Sequence, residues 1–152
     1  MISPAFVSAG SFIDGVAAVK DGFIDRKGKY VYKDSTCNFY NFSGGLGPYS
    51  KDSLFGFIDA NGAIQIGPSF RYAQSFNEGV APVMGDNEKW FYIDKTGRKV
   101  SGDYDWAFPF SGGIAAVCTD GKFNLINSKM EVNKLGFSYI GVMKEGLIVF
   151  AK

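Results

Sequence analysis

The chain has 152 residues, 16 basic and 15 acidic side chains, and no histidine. The missing histidine excludes Ser-His-Asp and Cys-His catalysis and most zinc sites, and the balanced charge argues against a nucleic-acid track. The length suits one domain, while 20 glycines and an aromatic content of 16% favour many short strands over helices.

The start, Met1-Ile2-Ser3-Pro4-Ala5-Phe6, has no basic segment leading into a long apolar stretch. No apolar run approaches the roughly 18 residues of a membrane helix. A soluble chain without a membrane span is expected, and its native compartment is left open.

In chain order, the first predicted element is an aromatic connector, Phe6, Ala9 and Phe12. A Gly-initiated strand follows, Gly15-Val16-Ala17-Ala18-Val19. Next come Gly22-Phe23-Ile24-Asp25, a turn closing at Gly28, and a third strand, Tyr30-Val31-Tyr32. The connector spacing of three is not strand alternation and predicts a tight turn or one short helical turn. The Asp-x-x-Gly spacing predicts an Asp-capped turn closed by a left-handed glycine.

The same order then recurs. Gly-initiated strands begin at Gly15, Gly45, Gly79, Gly113 and Gly146, at intervals of 30, 34, 34 and 33 residues. A fixed period of this size indicates a repeat architecture. The second unit has Thr36 and Phe39 before Phe42, and its interval is short, so an irregularity is expected around residues 33–41. The third unit runs from Phe70, Ala73 and Phe76 through Phe91-Tyr92-Ile93-Asp94 to Gly97. The fourth runs from Tyr104, Ala107 and Phe110 through Asn124-Leu125-Ile126-Asn127, with Met130 in the turn-glycine place. The last has Phe137, Ile140 and Met143 before Gly146-Leu147-Ile148-Val149-Phe150 and reads as half a unit.

Small residues occupy the second place after the initiating glycine: Ala17, Gly47, Ala81 and Ala115. A small side chain there lets another layer approach. Pro48 and Pro82 stand one place further, where an N–H directed at a partner strand is not expected.

The reading is one all-β domain over 1–152, an array of about 4.5 antiparallel meander units of about 34 residues. The units are about 6–35, 36–69, 70–103, 104–136 and a partial 137–152. An open curved stack is favoured, because 34 residues are few for a four-stranded blade. A small β-propeller or barrel-like closure is the alternative.

The combined pattern resembles the bacterial WG-containing repeat, also called KWG. The residues that carry it are Phe76-Asn77-Glu78-Gly79-Val80-Ala81-Pro82-Val83, Phe55-Gly56-Phe57-Ile58-Asp59-Ala60-Asn61-Gly62 and Tyr104-Asp105-Trp106-Ala107-Phe108-Pro109-Phe110. The tryptophan position reads Asp21, Phe55, Trp90 and Phe123, and the glycine after it reads Gly22, Gly56, Phe91 and Asn124. The resemblance implies a β-rich repeat fold and brings no defined catalytic activity.

Chemistry is sparse. Cys37 and Cys118 lack metal-ligand spacing and read as two free, partly buried thiols, with a single bridge left open. Asp25, Asp59 and Asp94 read as turn caps rather than calcium ligands, since each stands alone in its unit. Asp103 and Asp105 read as solvated loop charges rather than a catalytic pair. Lys33, Lys51, Lys89, Arg98 and Lys99 read as solvated residues guarding strand ends. No metal, cofactor or catalytic residue is expected.

The candidate binding surface comes from aligning the connectors. The place before Ala9, Phe39, Ala73, Ala107 and Ile140 reads Ser8, Asn38, Tyr72, Trp106 and Tyr139. It varies on a constant framework, so exposure is expected. Tyr72, Trp106 and Tyr139 form either a binding stripe or an outer layer of core rings. The functional expectation is a non-enzymatic module binding a protein or peptide. The alternative is a carbohydrate or cell-envelope binding module that uses these three rings.

Overall fold

The computed structural model describes residues 9–140 and 150–151, with side chains from 9 to 138. All of its regular elements are strands. The first unit holds β1 (Val16–Val19), β2 (Gly22–Asp25) and β3 (Tyr30–Lys33). The second holds β4 (Asn38–Phe39), β5 (Leu46–Lys51), β6 (Leu54–Asp59) and β7 (Ile64–Phe70). The third holds β8 (Tyr72–Ala73), β9 (Val80–Met84) and β10 (Trp90–Asp94). The fourth holds β11 (Trp106–Ala107), β12 (Ile114–Thr119), β13 (Lys122–Asn127) and β14 (Val132–Phe137). Last come β15 (Tyr139–Ile140) and β16 (Phe150–Ala151).

Each unit is one antiparallel sheet in sequence order: β1-β2-β3, β4-β5-β6-β7, β8-β9-β10, β11-β12-β13-β14 and β15-β16. In the third sheet, bridges Ile93↔Lys99 and Trp90↔Tyr104 add an irregular fourth row. Among the described residues no pairing joins one sheet to another, so the strands form no closed barrel. Of the fifth Gly-initiated strand, only Phe150 lies within the described residues.

The connectors correct the sequence reading. They are neither helical turns nor simple tight turns but short strands, and they supply the fourth strand for which 34 residues looked too few. The spacing of three has a geometric cause. Ala73 pairs with Val83 and Asn77 bridges Val80, so four steps on the connector match three on the Gly-initiated strand. The same count holds from Phe39 to Ser43, from Ala107 to Ser111 and from Ala9 to Ile13. The surplus residue is a β-bulge, which turns a spacing of three into two side chains on one face.

The bulge also explains the prolines. Pro82 O accepts from Gln74 N at 3.0 Å, and Pro48 O from Tyr40 N at 3.0 Å. In an antiparallel strand a residue's N–H and C=O point to the same neighbour. The N–H that proline lacks therefore faces the bulged strand, where regular pairing has already lapsed.

The core lies between sheets. The pair before each capping residue points in opposite directions, as strand alternation requires. Phe57 joins Ala73, Phe76, Ala81, Val83 and Ile93 of the following unit, whereas Ile58 joins Phe23 and Val16 of the preceding one. Tyr92 packs forward on Ala107, Phe110 and Ala115, and Ile93 packs backward on Phe57. Edge-to-face ring pairs repeat at these interfaces: Phe23–Phe42 at 4.7 Å, Phe57–Phe76 at 4.8 Å and Tyr92–Phe110 at 5.2 Å. Each adds roughly 0.5–1.5 kcal/mol beyond its buried area. Three of the four core clusters join residues of two units, and the fourth, Ala17, Val19 and Ile24, belongs to the first unit.

The second unit is irregular where expected. Thr36 holds the place of Phe70 and Tyr104 but is exposed, while its neighbour Cys37 is buried. The missing aromatic is supplied by Phe39, whose ring lies 5.0 Å from Phe23. Asp34 Oδ1 accepts from Thr36 N at 2.9 Å and closes the turn that leads into this connector.

Candidate functional site

The strands deliver one aromatic position per unit to a common line. Phe55, Trp90 and Phe123 stand early in β6, β10 and β13, beside the hairpin that follows the Gly-initiated strand. Tyr72 and Trp106, which lead into the third and fourth sheets, each land against such a ring. Phe55 lies 5.1 Å from Tyr72, and Trp90 lies 4.7 Å from Trp106. Tyr40 meets Phe55 at 5.4 Å, and Tyr72 meets Trp90 at 5.7 Å. Phe108 continues the line, 6.2 Å from Trp106 and 6.4 Å from Phe123.

The result is an unbroken run of rings across the second, third and fourth units. Tyr40, Tyr72 and Trp106 are exposed at 42%, 49% and 42%, while Trp90 between them is 2% exposed. Buried rings thus hold exposed ones in place. Tyr72 and Trp106 cover Trp90 on one side and meet solvent on the other. The side chain of Tyr139 lies outside the described residues.

Polar groups border the run. Tyr40 Oη and Asn38 Nδ2 each stand 3.5 Å from Ser50 Oγ, which is buried. Arg71 lies 3.6 Å from Asp86 and 3.9 Å from Glu88 at the next hairpin tip. Lys89 pairs with Asp105, whose other oxygen accepts from Asp120 N at 2.7 Å. These bonds hold the Asp105 carboxyl below the usual range. Lys51 pairs with Asp34 at 3.1 Å, and the Thr36 hydroxyl and N–H, followed by that contact, lower Asp34 as well.

The other candidate residues have structural roles. Asp25 Oδ1 accepts from Lys27 N and Lys29 N at 2.8 and 2.9 Å, and Asp59 Oδ1 from Asn61 N and Ala63 N at 2.8 and 3.0 Å. Asp94 bonds Thr96 and Arg98 in the same way, and its carboxyl falls to about 2, led by the Thr96 hydroxyl. Asn127 reproduces the turn with an amide oxygen, accepting from Lys129 N and Glu131 N at 3.0 Å each. Asp103 pairs with Lys99 at 2.6 Å on the surface, and Lys33 with Asp21 at 3.4 Å. Cys37 and Cys118 are free and buried, and burial raises both thiols above their ordinary value. A raised thiol holds less thiolate near neutral pH.

Sequence reasoning found Tyr72 and Trp106 but missed Tyr40, Phe55, Phe108 and Phe123 as their neighbours. The signal was the tryptophan position, which keeps a ring in three units. What joins it to the connectors is the packing of one sheet on the next, which spacing within a unit does not reveal.

The glycine after the tryptophan position has a clear purpose. A Cβ on Gly56 would stand 2.5 Å from Ile66 O, because β7 bulges toward it. In the fourth unit Asn124 fills this place and meets the same kind of bulge differently. Its Oδ1 accepts the Gly136 N–H at 3.0 Å.

These features define an all-β repeat protein of stacked antiparallel meanders with a ring-lined surface crossing the units. Residues 55–90 and 90–123 match the model of the WG containing repeat, so two adjacent units of this chain are WG containing repeats. No curated protein matches the chain. Among solved structures, it is similar to the computationally designed Ika8 protein, with TM-score 0.56, 12% identity, and 92% of this chain and 53% of that one covered. It is also similar to BamB from Moraxella catarrhalis, with TM-score 0.50, 15% identity, and 81% of this chain and 45% of that one covered. The chain thus spans about half the length of these structures, and at such identities the likeness concerns the fold alone.

Proposed function

We propose that this chain is a non-enzymatic interaction module that binds a protein or peptide along the run of rings from Tyr40 to Phe123. One observation carries the reading. The second, third and fourth units each expose one connector ring, Tyr40, Tyr72 and Trp106, with Tyr40 two places further along its connector than the other two. Each is backed by a partly or fully buried ring at the tryptophan position. Rigid aromatic anchors with a polar end are the side chains that dominate protein interfaces. Their tilts favour a partner with relief: Phe55 and Tyr72 meet at 40°, and Trp90 and Trp106 at 50°. Rings set at such angles form ridges and crevices, whereas stacking on sugars uses flat platforms.

A photo-crosslinking residue at position 72 or 106, with position 64 as control, tests the reading in extracts of the source cell. Ile64 is 49% exposed and has no part in the ring contacts, so its labelling measures background. A discrete protein adduct from 72 and 106 and none from 64 is the expected result. Equal labelling at all three positions would count against the surface. Capture of a glycan by the unmodified chain, lost in Trp106→Ala, would favour the carbohydrate alternative.

A further inference from the structure

Asn61 is the one asparagine of the chain that is followed by glycine. An asparagine amide is thermally labile. A following glycine opens it to attack, because no Cβ shields the next backbone nitrogen and the chain there is free to turn. In that reaction Gly62 N gives up its proton and attacks Asn61 Cγ. The N–Cγ bond forms, the Cγ–Nδ2 bond breaks, and ammonia leaves a succinimide ring. Water then opens the ring at either carbonyl. One product is aspartate. The other is isoaspartate, in which the main chain runs through Cβ and Cγ.

The fold holds this pair in the turn between β6 and β7, with Asn61 exposed. Gly62 N–H, the group that must be freed, donates to Asp59 O at 3.0 Å. Asp59 Oδ1 accepts from Asn61 N at 2.8 Å and from Ala63 N at 3.0 Å, and Oδ2 accepts from Gln65 Nε2 at 2.9 Å. The attacking nitrogen and both of its neighbours are thus tied to one residue. Gly62, at φ 85°, also lies hard against the first unit, where an added Cβ would overlap Val31 O. The matching Gly97 is less crowded, since its added Cβ first meets the Ile66 side chain at 3.4 Å. Isoaspartate at position 61 lengthens the main chain by one carbon beside this contact and sets a second carboxylate near Asp59.

We propose that Asn61 is a modification site guarded by its own turn. It deamidates through Gly62 when the turn opens, and the isoaspartate formed keeps the turn from closing against the first unit. The site stands apart from the ring surface, at the Asp59 end of β6 rather than the Phe55 end.

The intact chain is incubated in mildly alkaline buffer, with and without guanidinium chloride. Mass spectrometry of its peptides follows the change of amide to acid at each asparagine, and enzymatic methylation counts isoaspartate. Conversion at Asn61 is expected to run at least about tenfold faster in denaturant, because the folded chain must first open locally. Asn127, followed by Ser128, is expected to lag behind Asn61 in denaturant. Asp59→Ala unties the turn and should bring the rate in buffer toward the rate in denaturant. Asp59→Asn, which keeps the cap as Asn127 does, should restore most of the protection. Asp94→Ala unties the corresponding turn of the next unit and should leave Asn61 protected. Equal rates with and without denaturant, or an Asn61 no faster than Asn127 in denaturant, would overturn the proposal. So would equal rates in Asp94→Ala and Asp59→Ala, since general unfolding would then explain both. The isoaspartate form is also compared with Asn61→Asp, which adds the charge on an ordinary backbone. A lower denaturation midpoint for the isoaspartate form is expected, and equal midpoints would refute the blocked turn.

Discussion

Glu78 Oε2 accepts the backbone N–H of Gly113 at 2.9 Å, so an acid at one hairpin tip holds the tip of the following unit. Asp14 does the same for Gly45 at 2.8 Å. The tips are two-residue turns with both φ positive: Asp14 and Gly15 at 52° and 85°, and Glu78 and Gly79 at 53° and 89°. Units one and three carry the acid, and units two and four carry Gly44 and Gly112 in its place. The clasp is therefore laid between units in pairs. Glu78→Ala is expected to cost about 1 kcal/mol in urea denaturation, because a charge-assisted but exposed bond is lost. Glu78→Gln keeps an acceptor oxygen and should recover most of it. Equal loss in both variants would assign the effect to the strained turn.

Gly47 permits a close approach between the first two units. A Cβ there would overlap the Phe42 ring and stand 2.8 Å from Phe23 Cζ. The equivalent Ala17, Ala81 and Ala115 are fully buried, so one methyl is the most this layer accepts in the other units. Gly47→Ala is expected to destabilise by about 1–3 kcal/mol through overpacking. Thermal unfolding followed by near-ultraviolet dichroism checks it, and an unchanged midpoint would contradict the packing.

The turn caps set a response to acid. Folding lowers Asp25 and Asp59, and takes Asp94 from 3.8 to about 2. The unfolded chain therefore binds these protons more readily. The stabilisation is complete above a pH of about 4 and is lost as pH falls through the folded values. The midpoint of thermal unfolding should drop steeply between about pH 4 and pH 2. Asp94→Asn, which copies the turn already made by Asn127, should fold at neutral pH and show a shallower drop. An unchanged slope would mean that other carboxyls govern the acid limb.

Binding and folding should separate at neighbouring rings. Trp90 is buried in the core between the third and fourth units, so Trp90→Ala is expected to cost about 3–5 kcal/mol. Trp106, 42% exposed, is expected to lose about 1 kcal/mol or a little more on truncation. Chemical denaturation of the two variants measures the difference. A loss at Trp106 as large as at Trp90 would make it a core residue and weaken its standing as a ligand contact.

Much of the fold was legible because each repeat writes the same local physics. Alternation put Phe57 and Ile58 on opposite faces, and Asp59 with Gly62 marked a turn that the backbone hydrogen bonds then displayed. The connectors were misread because a bulge turns strand periodicity into a spacing of three, which looks helical in one dimension. Part of the candidate surface was legible in Tyr72 and Trp106, whose place varies while its neighbours stay apolar. Phe55 and Phe123 carried no such mark, since their place also holds a core residue, Trp90.

The sequence alone determined that the chain is an all-β array and which residues cap its turns. Those properties depend on side chains a few positions apart. The tertiary structure decided that the connector is a fourth strand, that the core lies between units and that rings from different units meet in one line. These depend on how one sheet lies against the next, where residues about 16 positions apart in sequence, such as Trp90 and Trp106, come within 4.7 Å.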